Sequence, residues 1–192
     1  MSPTSSLKTG RTFFVADLHL TDERPAASGR FFRFLDEDAA GADALYILGD
    51  LFEAWIGDDH DERVARDTAQ RLKALAAAGT PVYFMHGNRD FMLAGRYAAL
   101  SGMTLLADPS RIDLYGVPTL LMHGDTLCTD DTAYLAFRRR VRHPLTLALL
   151  RHLPPGWRRH LARRARAGSE SAKAGKPAAI MDVNTDAVVR VL

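Results

Sequence analysis

A single cysteine, Cys128, stands in 192 residues. No disulfide can form within the chain, and no cysteine-rich zinc module can be built. Long apolar runs are missing as well: none approaches the ~18 residues that a membrane-crossing helix needs, and Met1 to Arg11 is polar, without the apolar core of a secretory signal. These gaps point to a reducing compartment and away from secretion or a transmembrane anchor. Acidic residues and lysine are absent from Arg138 to Arg166, a stretch that holds ten arginines. Elsewhere fifteen basic residues face 23 acidic ones, so a net charge of +2 conceals a segment of +10 in a remainder of −8. The segment also carries Leu145, Leu147, Leu149, Leu150, Leu153, Trp157 and Leu161. It is apolar and cationic at once, unlike a disordered basic tail.

With 47% apolar and 25% charged residues, the chain has the composition of one globular domain with room for an appendage. Four short apolar, β-prone runs each end abruptly in polar residues. Thr12 to Ala16 precedes Asp17 and His19; Ala44 to Leu48 precedes Gly49 and Asp50; Val82 to Met85 precedes His86, Gly87 and Asn88; Thr119 to Met122 precedes His123, Gly124 and Asp125. Their length and composition predict buried strands. Helical stretches lie between them, at Gly29 to Ala40, Asp61 to Ala78 and Arg89 to Leu100. Ile112 to Leu121 reads as a hairpin around Tyr115, Gly116, Val117 and Pro118. The expected fold is therefore α/β with a mixed sheet. If the strands are parallel neighbours, their polar C-terminal ends meet on one rim, where open α/β sheets build sites. From Thr129 or Asp130 a helix to Val141 is expected, then Leu- and Arg-rich pieces broken at Pro144 and at Pro154 to Gly156. Gly168 to Pro177 reads as a loop and Ala178 to Leu192 as another helix. This organises the chain as a core over 1–129, a cap and substrate loop over 130–176, and the start of a C-terminal part of the core over 177–192.

Each polar cluster has an ordinary explanation when taken singly. Asp17 and His19 could belong to a turn, Gly49-Asp50 is a common turn pair, Asn88 could be a left-handed turn residue, and His123 could be a satisfied core histidine. Five N/O donors at four strand ends are harder to explain as four independent turns. Carboxylate, imidazole and amide oxygen suit Mn²⁺, with Fe²⁺ or Zn²⁺ also possible. A shared aspartate would allow two ions, which together clamp a phosphate, acidify a water and offset charge on a leaving oxygen.

Asp17-Leu-His19, Gly49-Asp50, Gly87-Asn88-Arg89-Asp90 and His123-Gly124-Asp125 resemble the signature of the calcineurin-like metallophosphoesterases. The resemblance implies mixed sheets flanked by helices, here with an inserted helical cap. Longer strings, such as 14–20, 46–59, 122–131 and 180–184, resemble the branch of that family that cleaves UDP-2,3-diacylglucosamine in lipid A biosynthesis. It implies Asp17, His19 and Asp50 on one metal ion, with Asp50 bridging to a second held by Asn88 and His123, both most simply Mn²⁺. Catalytic roles fall to Asp50, Arg89 and His123. It also implies that Asn88, Arg89, Asp131, Ser169, Lys173 and Lys176 hold the substrate. Many family members place a histidine after the asparagine to protonate the leaving group. Arg89 stabilises phosphate oxygens but supplies no proton. That favours a pyrophosphate, whose leaving phosphate needs a proton far less than the alkoxide leaving from a phosphoserine does.

The family's closing Gly-His-x-His motif is absent, since His143, His152 and His160 are the only histidines after His123 and none stands in that pattern. The expectation is that C-terminal strands are missing and that these 192 residues alone bind metal weakly and turn over slowly. For the arginine-rich cap three readings compete: a solvated face, a nucleic-acid surface, or an interfacial element against anionic lipid. The leucines favour the last, and Trp157 alone offers stacking to a base. Phe137, Leu145, Leu149 and Leu153 would then meet acyl chains. The implied setting is peripheral, on the cytoplasmic side of the inner membrane, with no nucleic-acid partner. A phosphodiesterase or nuclease, or a binding protein with little turnover, are the alternatives.

Overall fold

In the computed structural model, which describes residues 10–59, 61–174 and 182–191, strands β1 (Thr12–Val15), β2 (Ala44–Ile47), β3 (Val82–Met85) and β4 (Met103–Leu106) pair in that order, all parallel. Parallel neighbours need a crossover between them. Helix α1 (Pro25–Arg33), prolonged by a π-helical turn at Phe34–Asp38, supplies the first. Helices α2 (Arg63–Ala77) and α3 (Gly95–Ser101) supply the next two. In α2, Val64, Ala65, Thr68, Ala69, Leu72 and Leu75 are buried, a stripe at helical spacing. It packs with Phe31, Leu35 and Tyr97 against Leu45, Ile47, Val82 and Phe84 on one face of the sheet. The opposite face carries Phe14, Tyr46 and Tyr83 in register. Their rings stack with centroids 5.1 and 4.8 Å apart and remain partly exposed to solvent.

The hairpin forms from β5 (Ser110–Leu114) and β6 (Val117–Leu121). It turns at Tyr115 and Gly116, both with positive φ, as tight hairpin turns require. It is a two-stranded sheet of its own and does not join the parallel sheet. Pro109, just before β5, has no N–H to offer a ladder. Tyr115 instead docks the hairpin on the core, its hydroxyl 2.7 Å from Thr12 Oγ1 and donating to Asp43 Oδ2 at 2.9 Å. The sequence reading missed β4, whose four residues lack a period long enough to register.

Three helices follow: α4 (Thr132–Val141), α5 (Pro144–His152) and α6 (Pro155–Ala174). Pro144 and Pro155 begin their helices, where a missing N–H costs nothing. Of the loop expected over 168–177, residues 168–174 are instead the last part of α6, and 175–177 lie outside the described residues. Ala, Glu and Lys around Gly168 favour helix enough to absorb its cost of ~1 kcal/mol. Beyond it, α7 (Thr185–Val191) occupies part of the final helical stretch.

Helix α6 is anchored through Arg158, which is only 4% exposed. Its Nη1 donates to Ile56 O and to Asp59 Oδ1, both at 2.7 Å, and Nη2 pairs with Asp59 Oδ2. Gly57 makes room for this: its φ is +136°, and a Cβ there would lie 2.1 Å from Nη1. Gly57→Ala should therefore destabilise the protein by about 2–4 kcal/mol through backbone strain and displacement of the buried Arg158 guanidinium from its partners. Gly29→Ala, in open space on α1, should gain up to ~1 kcal/mol. Urea unfolding of the two variants beside the parent checks both signs.

Candidate metal centre

Pairing between β1 and β2 continues past the regular strands, and this delivers the first candidate ligands. Asp17 N–H donates to Gly49 O at 3.2 Å and His19 N–H to Asp50 O at 2.9 Å. Among the described residues, the non-glycine positions with positive φ are Asp17 (+54°), His19 (+49°), Asp50 (+52°) and Tyr115 (+55°). Tyr115 turns the hairpin; the other three are among the five residues singled out as ligands. Left-handed backbone is uncommon outside glycine, though Asp and His take it more readily than most, and a cluster of such positions is a mark of functional sites. The result is convergence: one ligand atom from each of Asp17, His19 and Asp50 lies within 4.8 Å of the others. Asp50 is buried, and the described residues offer its side chain one backbone donor, Arg89 N–H at 2.8 Å, and no cation. A buried carboxylate without a counter-charge is expensive. Two carboxylates and an imidazole are a suitable donor set for a divalent metal ion.

His123 arrives from β6 and is tied to the same rim. Its Nδ1 lies 2.8 Å from Leu48 O; a carbonyl only accepts, so Nδ1 carries the proton and Nε2 keeps a lone pair for a metal. Close backbone approach holds the three loops together. A Cβ on Gly49 would sit 2.5 Å from His123 Nδ1 and 2.7 Å from Gly87 Cα, and one on Gly87 would sit 2.1 Å from Asp50 Oδ1. Asn88 is exposed beside this junction, between Gly87 and the Arg89 N–H that binds Asp50.

Two residues around the rim escaped the sequence reading. Asp90 is fully buried; Oδ1 accepts Gly87 N–H at 2.8 Å and Oδ2 accepts Leu51 N–H at 2.7 Å. Burial, reinforced by the charge of Asp50 and only partly offset by the N–H groups, pushes its carboxyl up to about 7. Its signal was its place at the end of Gly-Asn-Arg-Asp. Glu53 gathers Arg24, Arg166 at 2.5 Å and Arg89 at 3.6 Å, and its Oε2 lies 3.8 Å from His19 Nδ1. No local pattern marks it, because its partners come from three separate segments.

The predicted substrate residues are spread more widely. Asp131 caps α4, accepting Tyr134 N–H at 3.0 Å. Ser169 is exposed on α6, Lys173 lies in its last turn, and Lys176 falls outside the described residues. Four of the ten arginines of the basic segment turn inward: Arg138 and Arg142 to loops at the rim, Arg158 to Asp59, Arg166 to Glu53. Arg139, Arg140, Arg151, Arg159, Arg163 and Arg164 stay exposed. Among the described residues, no helix is long and apolar enough to cross a membrane.

Comparison with known proteins agrees with this geometry. Residues 10–190 match the family Calcineurin-like phosphoesterase. Among curated relatives, the UDP-2,3-diacylglucosamine hydrolase of Enterobacter sp. (strain 638) is 54% identical over 181 residues, 94% of this chain and 75% of the relative. That of Klebsiella pneumoniae is 54% identical over 178 residues, 93% of this chain and 74% of the relative. That of Serratia proteamaculans is 52% identical over 181 residues, again 94% and 75%.

Proposed function

Because the chain belongs to the calcineurin-like phosphoesterase family, we propose that it hydrolyses the pyrophosphate bond of UDP-2,3-diacylglucosamine, yielding UMP and 2,3-diacylglucosamine 1-phosphate in lipid A biosynthesis. The carrying observation is the strained convergence of Asp17, His19 and Asp50, with the Asn88-Arg89 peptide hydrogen-bonded to Asp50. Asp17, His19 and Asp50 would hold one divalent ion; Asp50, Asn88 and His123 would hold a second. Manganese fits these donors. When bound, such ions polarise the phosphate and acidify water. The chain's own groups do the rest. Arg89 offsets phosphate charge without donating a proton, and the Nδ1–Leu48 bond keeps His123 in one tautomer. Asn88, Asp131, Ser169, Lys173 and Lys176 would contact the UDP and the glucosamine phosphate. The test is UMP release from this substrate with Mn²⁺ and with chelator. Metal-dependent release is expected. Its absence both here and in a chain extended to the relatives' length would overturn the reading.

The acyl chains would lie on the cap, whose helices expose Leu145 and Leu149 (75% and 65%) and also Phe137, Trp157 and Leu161. Leu149→Asp should raise KM for the diacylated substrate about tenfold, the worth of roughly one buried apolar side chain, and leave hydrolysis of a soluble phosphodiester unchanged. Equal losses on both would mark a folding defect. The cap, with its six exposed arginines, would rest peripherally on the anionic cytoplasmic surface of the inner membrane. Cosedimentation with phosphatidylglycerol vesicles should be strong at low salt and weak in 0.5 M salt, on the order expected for screened charges. Equal binding to neutral vesicles would sink this assignment.

A further inference from the structure

Helix α4 places Arg138 and Arg142 four residues apart on one face, and their side chains are 17% and 18% exposed. Arg138 Nε donates to Asp125 Oδ2 at 2.7 Å, and its Nη2 donates to Asp108 Oδ2 at 3.0 Å. Arg142 Nη2 donates to Gly87 O at 2.8 Å and lies 3.7 Å from Asp125 Oδ2. Tyr134, one turn earlier, donates its hydroxyl to the same Asp125 oxygen at 2.6 Å. Asp108 in turn accepts the His123 N–H at 3.4 Å. One helix face of the cap thus grips two loops, Gly87-Asn88 and His123-Gly124-Asp125. These carry the two ligands that the proposed second metal position does not share with the first.

We propose that α4 is the positioning element of the second metal position, through Arg138 and Arg142, so that metal occupancy at Asn88 and His123 and seating of the cap on the core favour each other. The inference rests on the metal assignment above and extends it. Buried ion pairs are weak sources of stability, and Asp125 Oδ1 is left buried without a partner. The arrangement is poorly suited to stabilising the fold and well suited to fixing geometry. A shift of α4 pulls directly on Gly87 O and on the Asp125 carboxylate, and metal ligands tolerate only about 0.5 Å of misplacement. Linkage then makes the effect mutual: whatever seats α4 tightens the second ion, and the second ion seats α4.

The experiment titrates Mn²⁺ into the 192-residue chain, following bound metal by electron paramagnetic resonance and α4 by amide hydrogen exchange. In the parent, exchange across α4 should slow as the weaker class of ion binds. Arg138→Met and Arg142→Met should each weaken that class about tenfold, the usual cost of removing a ligand's support, and leave the tighter class unchanged. Arg142→Lys, which keeps a charge and a donor for Gly87 O, should recover most of the loss. Exchange in α4 that ignores Mn²⁺ in the parent would overturn the proposal, whether or not the methionine variants fold. Asn88→Ala and His123→Ala separate it from the assignment beneath. If they abolish the weaker class while the arginine variants spare it, the coupling alone is wrong; if they also spare it, or if the parent binds a single ion, the assignment fails and the coupling with it.

Discussion

Asp50→Ala should reduce metal-dependent hydrolysis by at least about 10³-fold, or ~4 kcal/mol of transition-state stabilisation, and should weaken every Mn²⁺ site together. Asp50 is buried, strained, and the one ligand proposed for both ions. Removing it deletes charge from both at once. Alanine also abandons the Arg89 N–H, which Asp50 Oδ1 accepts at 2.8 Å, and it fits the left-handed backbone poorly, so it should cost a further 1–3 kcal/mol or so of stability. Asp50→Asn separates the two effects. Asparagine adopts this backbone readily and still offers Arg89 N–H an oxygen, so folding should survive while activity is lost as completely. Calorimetric Mn²⁺ titration of the asparagine variant decides the matter. Undiminished affinity would remove Asp50 from the metal centre, and loss of one class alone would deny it the bridging role.

Much of the candidate site was legible because its candidate ligands follow strands. An apolar run that ends in Asp-x-His or Gly-Asp announces both the strand and the place where its C-terminal end emerges, and parallel order then brings such ends to one rim. The strands at Val82–Met85 and near Thr12 and Ala44 formed within a residue of expectation for that reason. The hairpin was legible as well, but not its separation from the parallel sheet, because register between sheets depends on contacts such as Tyr115 with Thr12. The part of the expected loop at 168–174 was read from small residues that serve a helix equally well. Glu53 and the Arg138–Asp125–Asp108 chain went unread for a deeper reason. Their partners are up to 113 residues away, and no periodicity records a contact of that range. The basic segment misled in proportion: ten arginines suggested one surface, whereas four of them are internal ties.

Asp90→Ala should be the most destabilising single change at the rim that leaves every proposed ligand in place, by about 2–5 kcal/mol, because it strands two buried N–H groups, those of Leu51 and Gly87. The ionisation of Asp90 adds a pH dependence whose sign is fixed. In the unfolded chain the carboxyl ionises near 3.8 and in the folded protein near 7. Between those values the folded state keeps a proton that the unfolded chain has lost, so this group makes stability fall as pH rises through the window. His86 works the other way. Burial lowers its pKa from 6.5, so its contribution is lost as pH drops below 6.5. The two oppose each other, and the informative quantity is the difference between parent and variant. In chelator, with unfolding by urea at pH 5 and pH 8, the parent should lose more stability across the interval than Asp90→Asn, which cannot ionise and so lacks the fall that Asp90 contributes. Identical pH profiles would show that Asp90 is already charged at pH 5. The charge of Asp50 is one cause of the raised value, so Asp50→Asn should shift the Asp90 window downward without closing it, since burial is the larger cause. A cation bound beside Asp50 would act in the same direction. The difference in pH profile between the parent and Asp90→Asn should therefore shrink on adding Mn²⁺, and a difference that ignores the metal would mean that the ion does not sit next to this pair of carboxylates.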